Sequence, residues 1–134
     1  METASTLMTK EVSVLPLTAT VRQALAALQE LEVRHLPVVN EAHEVVGMVS
    51  DRDLVPLADH PGQLTRPISR VMSADVVTAG PSSELDELVD LMIEQRIGAI
   101  PIVDADHHLA GIVSYVDVLR ALPRALAEVE GEPR

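Results

Sequence analysis

Gly47-Met48-Val49-Ser50-Asp51-Arg52-Asp53 returns 64 residues later as Gly111-Ile112-Val113-Ser114-Tyr115-Val116-Asp117. Each copy reads as a glycine on a short apolar strand, a serine where the strand ends, and an aspartate three residues further on. A serine in that place caps a helix by accepting from the N–H of the third helical residue, and that residue is the aspartate. Hydroxyl, backbone N–H groups and carboxylate then share one helix mouth, which suits a polar ligand and phosphate in particular.

The repeat extends well beyond these stretches. Setting residue n against n+64 aligns 7–55 with 71–119 without a gap. Met8 meets Met72, Glu30 meets Glu94, Pro37 meets Pro101 and His43 meets His107. Where letters differ, apolar character survives, as in Leu25/Val89, Leu28/Met92, Leu36/Ile100 and Met48/Ile112. The chain is therefore a tandem duplication.

Each copy predicts the same element order. A short extended piece comes first, at 12–15 and 76–78. An amphipathic helix follows, with Val21, Ala24, Leu25 and Leu28, or Leu85, Leu88, Val89 and Met92, at i, i+3, i+4 and i+7. Thr20 with Gln23, and Ser83 with Asp86, resemble capping boxes. Strands at 36–39 and 100–103 lead through Asn40-Glu41-Ala42-His43 and Asp104-Ala105-Asp106-His107, read as hairpin turns, into return strands Val45–Ser50 and Leu109–Ser114. A second helix starts after each serine. Pro56 is expected to stop the first within about two turns. The second runs to about Leu122, where Pro123 opens a further helix over 124–129 as its N1 residue. The fold expected is α/β in the α+β sense, with two pseudo-symmetric β-α-β-β-α units packed sheet to sheet. The boundaries are 1–60, a linker at 61–70, 71–122, and a C-terminal helix and frayed tail at 123–134.

Composition limits the function. The 134 residues carry 21 acidic and 10 basic side chains, a formal charge of −11. Nucleic acids and anionic membrane surfaces are poor partners for such a chain. There is no cysteine, so disulfides, thiolate metal sites and cysteine nucleophiles are excluded. Tyr115 is the single aromatic residue. No apolar run approaches the ~20 residues of a bilayer span, and Met1-Glu2-Thr3-Ala4 has neither the basic start nor the apolar stretch of a secretion signal. A cytoplasmic protein is expected.

With these residues in place, the chain resembles a tandem pair of CBS domains, often called a Bateman module. The resemblance rests on Leu7-Met8 and Val71-Met72, on Arg34-His35-Leu36-Pro37-Val38 and Gly98-Ala99-Ile100-Pro101-Ile102, and on the two Gly–x–Val–Ser–x–x–Asp stretches. It implies a regulatory module that binds AMP, ADP or ATP in a cleft between the repeats, with magnesium as a possible companion of the phosphates, and that modulates a partner protein. It further implies Asp53 and Asp117 as ribose anchors and Ser50 and Ser114 as phosphate contacts. Adenine would lie near Val12, Val38 and Met48, or near Val76, Ile102 and Ile112, and Pro37 is counted among the ligand-binding residues. In related modules basic residues at the positions of Arg34, His35 and Arg52 grip the phosphate of the nucleotide whose ribose the opposite repeat holds. Here the second repeat has Gly98, Ala99 and Val116 instead. The site anchored by Asp117 is thus expected to be the stronger.

Plainer readings stand beside these. Serine and aspartate at a strand end also cap helices with no ligand present. Asp104, Asp106, His107 and His108 sit where a solvated turn belongs, and no metal site is expected there. Nothing at catalytic spacing suggests an enzyme. The alternatives are a ligand-free homodimerisation module and a sensor of S-adenosylmethionine or NAD.

Overall fold

The computed structural model describes residues 2–130, with side chains described through Pro123. The elements are α1 (Ala4–Leu7), β1 (Leu15–Pro16), α2 (Val21–Leu31), β2 (His35–Val39), β3 (Val45–Ser50), α3 (Asp51–Leu54), α4 (Pro61–Leu64), α5 (Leu85–Gln95), β4 (Ala99–Val103), β5 (Leu109–Ser114) and α6 (Tyr115–Glu130). Single 3-10 turns lie at Val55–Leu57 and Ile68–Arg70. This is the mixed α+β architecture, in two repeats, that the duplication predicts.

The chain forms two compact units. One is Ser13–Val76; the other joins the chain up to Val12 with the chain from Val77 onward. In the first, β1 runs parallel to β2 and β3 runs antiparallel to it. In the second, β4 and β5 form a two-stranded antiparallel sheet. The extended piece expected at 76–78 is no strand. Only Ala79 bridges Ile102, because Gly80-Pro81 turns the chain away at once. Both hairpins carry the same irregularity, between Val38 and Val39 and between Ile102 and Val103, which leaves Val46 and Ala110 without cross-strand partners.

The two cores are built around aligned positions. Ala24, Leu36, Val38, Val49 and Leu54 pack in one. Their counterparts Leu88, Ile100, Ile102, Val113 and Val118 pack in the other. Helix α2 starts as expected: Thr20 Oγ1 accepts from Gln23 N–H at 3.2 Å and Gln23 Oε1 accepts from Thr20 N–H at 2.9 Å. The box expected from Ser83 and Asp86 does not form. Glu84 is the cap residue of α5 and makes no side-chain cap bond. Ser83 Oγ instead accepts from Gly80 N–H at 3.3 Å, closing the turn before the helix.

The second helix of the first repeat ends as expected, since Val55-Pro56-Leu57 tightens into a 3-10 turn. The expected break at Pro123 is corrected. Helix α6 continues through it to Glu130, so the proline lies inside one helix rather than opening another. It removes one N–H from the ladder, and this helix tolerates that. The tail at 131–134 lies outside the described residues.

Each unit borrows the lead-in of the other repeat. In the second-repeat unit, Glu2 O accepts from the first N–H of α5, Leu85, at 3.0 Å. Thr9 and Ile112 exchange backbone hydrogen bonds of 2.9 and 3.0 Å, and Ala4 is wholly buried in that core. The first-repeat unit does the same with residues 64 positions on. Arg66 O accepts from Val21 N–H at 2.9 Å, Ser73 and Met48 exchange bonds of 2.9 and 3.0 Å, and Ile68 is wholly buried. The unit of sequence and the unit of packing are thus different segments.

Candidate ligand-binding site

The two serine–aspartate stretches form the same box. Ser50 is extended, with φ −127° and ψ 164°, and caps α3. Asp53 Oδ2 accepts from Ser50 N–H at 3.1 Å and from Ser50 Oγ–H at 3.0 Å, and Asp53 N–H donates to Ser50 Oγ at 3.3 Å. In the second repeat Asp117 Oδ2 accepts from Ser114 N–H at 2.8 Å and Ser114 Oγ–H at 3.0 Å, and Asp117 N–H donates to Ser114 Oγ at 3.4 Å. Helix capping and ligand binding are therefore not rival roles. The cap occupies Oδ2 and fixes the carboxylate's orientation. Oδ1 of each aspartate accepts no hydrogen bond among the described residues. It is a preoriented acceptor for hydroxyl groups such as those of a ribose. All four side chains are half-buried.

The surroundings of the boxes differ. His35 lies opposite Ser50 across the β2–β3 ladder, and Arg34 O accepts from Asp51 N–H at 2.9 Å. Arg34 and Arg52 are exposed, and no ion pair joins the Arg52 guanidinium to Asp51 or Asp53 among the described residues. At the second box Ala99 lies opposite Ser114, and Gly98 O accepts from Tyr115 N–H at 2.9 Å. The cations are thus gathered at the first box, as the sequence has them. The apolar residues divide by burial. Val12, Val76 and Ile112 are half-buried, whereas Pro37, Val38 and Ile102 are closed core residues of β2 and β4. Val12 belongs to the unit that holds Ile112, and Val76 to the unit that holds Val38.

His35 is pushed below the ordinary histidine value, chiefly by burial; Asp51 and Asp53 pull the other way, and Arg34 reinforces the depression. The unfolded chain then binds a proton more readily than the folded one. The stability tied to a neutral His35 is complete above pH 6.5 and is lost as pH falls from there through the folded value. Wild-type melting temperature is expected to fall over that window, and His35→Ala to remove part of the slope. Parallel melting curves for the two proteins would refute this.

In the second hairpin turn, Asp104, Asp106 and His108 bring ligand-type atoms within 4.8 Å of one another. Asp104 Oδ1 accepts from the N–H groups of Asp106 and His108, each at 2.9 Å, so the aspartate shapes the turn. Asn40 Oδ1 does the same in the first turn.

The family model for the CBS domain matches residues 4–58 and 68–124. The Bacillus subtilis CBS domain-containing protein YhcV is 31% identical over 112 residues, covering 83% of this chain and 79% of that protein. Inosine-5'-monophosphate dehydrogenase of Methanocaldococcus jannaschii is 32% identical over 114 residues, covering 84% of this chain and 22% of the enzyme. Across several curated relatives, the chain spans between 22% and 55% of their length. Among solved structures, CBSX2 in complex with AMP superposes with a TM-score of 0.83 at 28% identity, over 93% of this chain and 98% of that one. No helix among the described residues is long and apolar enough to cross a membrane.

Proposed function

The chain belongs to the CBS domain family as a tandem pair of repeats, and from that premise we propose that it is a regulatory module that binds an adenine nucleotide and alters the state of a partner protein. The observation that carries this reading is the pair of boxes in which Asp53 and Asp117 each keep one oriented carboxylate oxygen unused. The similarity to a structure solved with AMP supports the same ligand class. Arg34 and Arg52 supply the charge that phosphate requires, with His35 beside them, and Ser50 and Ser114 line the mouths. With ADP or ATP, magnesium accompanies the phosphates. The module works in the cytoplasm by binding rather than turnover.

Thermal melting with AMP, ADP and ATP tests this. A nucleotide at 100 times its dissociation constant adds about 2.7 kcal/mol to stability. Absence of any shift with all three refutes nucleotide sensing. A shift with S-adenosylmethionine or NAD alone would redirect the reading to those ligands.

A second reading, assembly without ligand, has its own observation. Ile93 on α5 is 70% exposed and Leu119 on α6 is 56% exposed, with Leu122 also exposed. Apolar side chains so placed suit a homodimer contact. Native mass spectrometry of the purified protein separates the readings, because it reports retained nucleotide and oligomeric state together.

A further inference from the structure

The chain has no cysteine, so its sulfur atoms are all methionine thioethers. Two of them hold equivalent places. Met8 and Met72 stand 64 positions apart, both are half-buried, and each packs on the core of the unit that borrows its lead-in. Each sulfur lies on the glycine of a return strand: a Cβ built on Gly111 would overlap Met8 Sδ, and one on Gly47 would overlap Met72 Sδ. The thioether thus takes the room that a side chain on the strand would need. The following residue fastens the backbone. Thr9 and Ile112 exchange hydrogen bonds of 2.9 and 3.0 Å, and so do Ser73 and Met48. Each lead-in has a second anchor further back. Ala4 N–H donates to Ser83 O at 2.8 Å and Ile68 N–H to Ala19 O at 2.7 Å, and both side chains are wholly buried.

We propose that Met8 and Met72 are peroxide-sensitive clasps, and that oxidation of either sulfur to the sulfoxide frees the end of its lead-in from the return strand. A lone pair of the thioether sulfur attacks one oxygen of hydrogen peroxide, the O–O bond breaks and an S–O bond forms. The sulfur is oxidised, and the departing oxygen takes up a proton and leaves as water. Half-burial admits the peroxide, which a wholly enclosed sulfur would not meet. The product is wider and polar. Holding the new oxygen against the strand without a donor is costly, and turning it to water lifts the sulfur off the glycine. Ala4 and Ile68 keep their own bonds, so the change is local. The Thr9–Ile112 and Ser73–Met48 bridges open while both cores stay closed. Reduction of the sulfoxide restores the thioether, which makes the clasp reversible. Neither clasp depends on a nucleotide.

Treatment of the folded protein with hydrogen peroxide, followed by peptide mass mapping and residue-resolved amide exchange, tests this. Free methionine in the same solution verifies the oxidant. Met8 and Met72 are each expected to gain one oxygen. The amides of Thr9, Ile112, Ser73 and Met48 should then exchange at least about tenfold faster, and those of Ala4 and Ile68 at their former rate. Leucine conserves the volume and offers peroxide no sulfur. In Met72→Leu the Ser73 and Met48 amides should no longer respond while the Thr9 and Ile112 amides still do, and Met8→Leu should reverse that pattern. Methionine sulfoxide reductase with a thiol should restore slow exchange in wild type. Sulfoxide at both positions with unchanged exchange overturns the proposal, as does a leucine variant that responds like wild type. Failure of either sulfur to take up oxygen while free methionine is consumed overturns it too. Equal acceleration at Ala4 and Ile68 would show general unfolding in place of a clasp.

Discussion

Gly111→Ala destabilises the protein by about 1–3 kcal/mol, the usual cost of forcing a methyl group into a packed core, and Gly47→Ala costs less. Neither glycine has a positive φ; what each supplies is room. The nearest atoms to a Cβ on Gly47 would be Sδ, Cγ and Cε of Met72, with the sulfur overlapping it. A Cβ on Gly111 would overlap Met8 and would also come within 2.9 Å of Thr9 O. A methionine side chain can swing aside. The Thr9 carbonyl cannot, because the Thr9–Ile112 bridge holds that backbone in place. Denaturant unfolding of the singles and of the doubles with Met72→Ala and Met8→Ala gives two coupling cycles. Met72→Ala is expected to relieve Gly47→Ala fully, and Met8→Ala to relieve Gly111→Ala only in part. Equal costs at the two glycines, or full relief at Gly111, would show that the backbone approach is unimportant.

Asp117→Asn weakens AMP binding about ten- to a hundredfold, the range for loss of a hydrogen bond to a charged group. The amide oxygen can still accept from Ser114 N–H and Oγ–H, so the cap and α6 survive. The amide NH2 then stands where Oδ1 stood, and a donor cannot receive a ribose hydroxyl. The asparagine variant therefore separates ligand chemistry from helix capping. Asp117→Ala would mix the two by removing the acceptor for Ser114 N–H and Oγ–H. By the family pattern, Asp53→Asn has the smaller effect. Titration of both variants with AMP checks the order. A large loss for Asp53→Asn with none for Asp117→Asn would invert the assignment.

Much of the fold was legible because its signals are local and occur twice. The return strands begin and end where the apolar runs at 45–50 and 109–114 do. Thr20 and Ser50 cap the helices their spacing indicates. Other features had no such signal. Glu32, His43, Arg96 and His107 all have positive φ, at helix ends and hairpin turns where glycine or asparagine is the usual marker. The start of α5 shifted from Ser83 to Glu84 because the borrowed Glu2 carbonyl satisfies Leu85 N–H, a contact between residues remote in sequence. At the boxes, residue type identified the serine and aspartate. Only coordinates could show that one carboxylate oxygen is committed to the cap and the other is not. Likewise the sequence places a histidine next to an arginine, but the ladder register is what sets His35 across from Ser50.

The borrowed lead-ins also impose an order on assembly during synthesis. Everything the unit Ser13–Val76 needs is contiguous, so it can close as soon as that stretch leaves the ribosome. The residues that precede this unit have the opposite fate. Glu2, Ala4 and Thr9 must stay accessible until Leu85 and Ile112 have been added. At ~5–20 residues per second that is a wait of several seconds. Meanwhile Ala4, Leu7 and Met8 remain without the core they later join. The segment made before the first unit is thus placed after it.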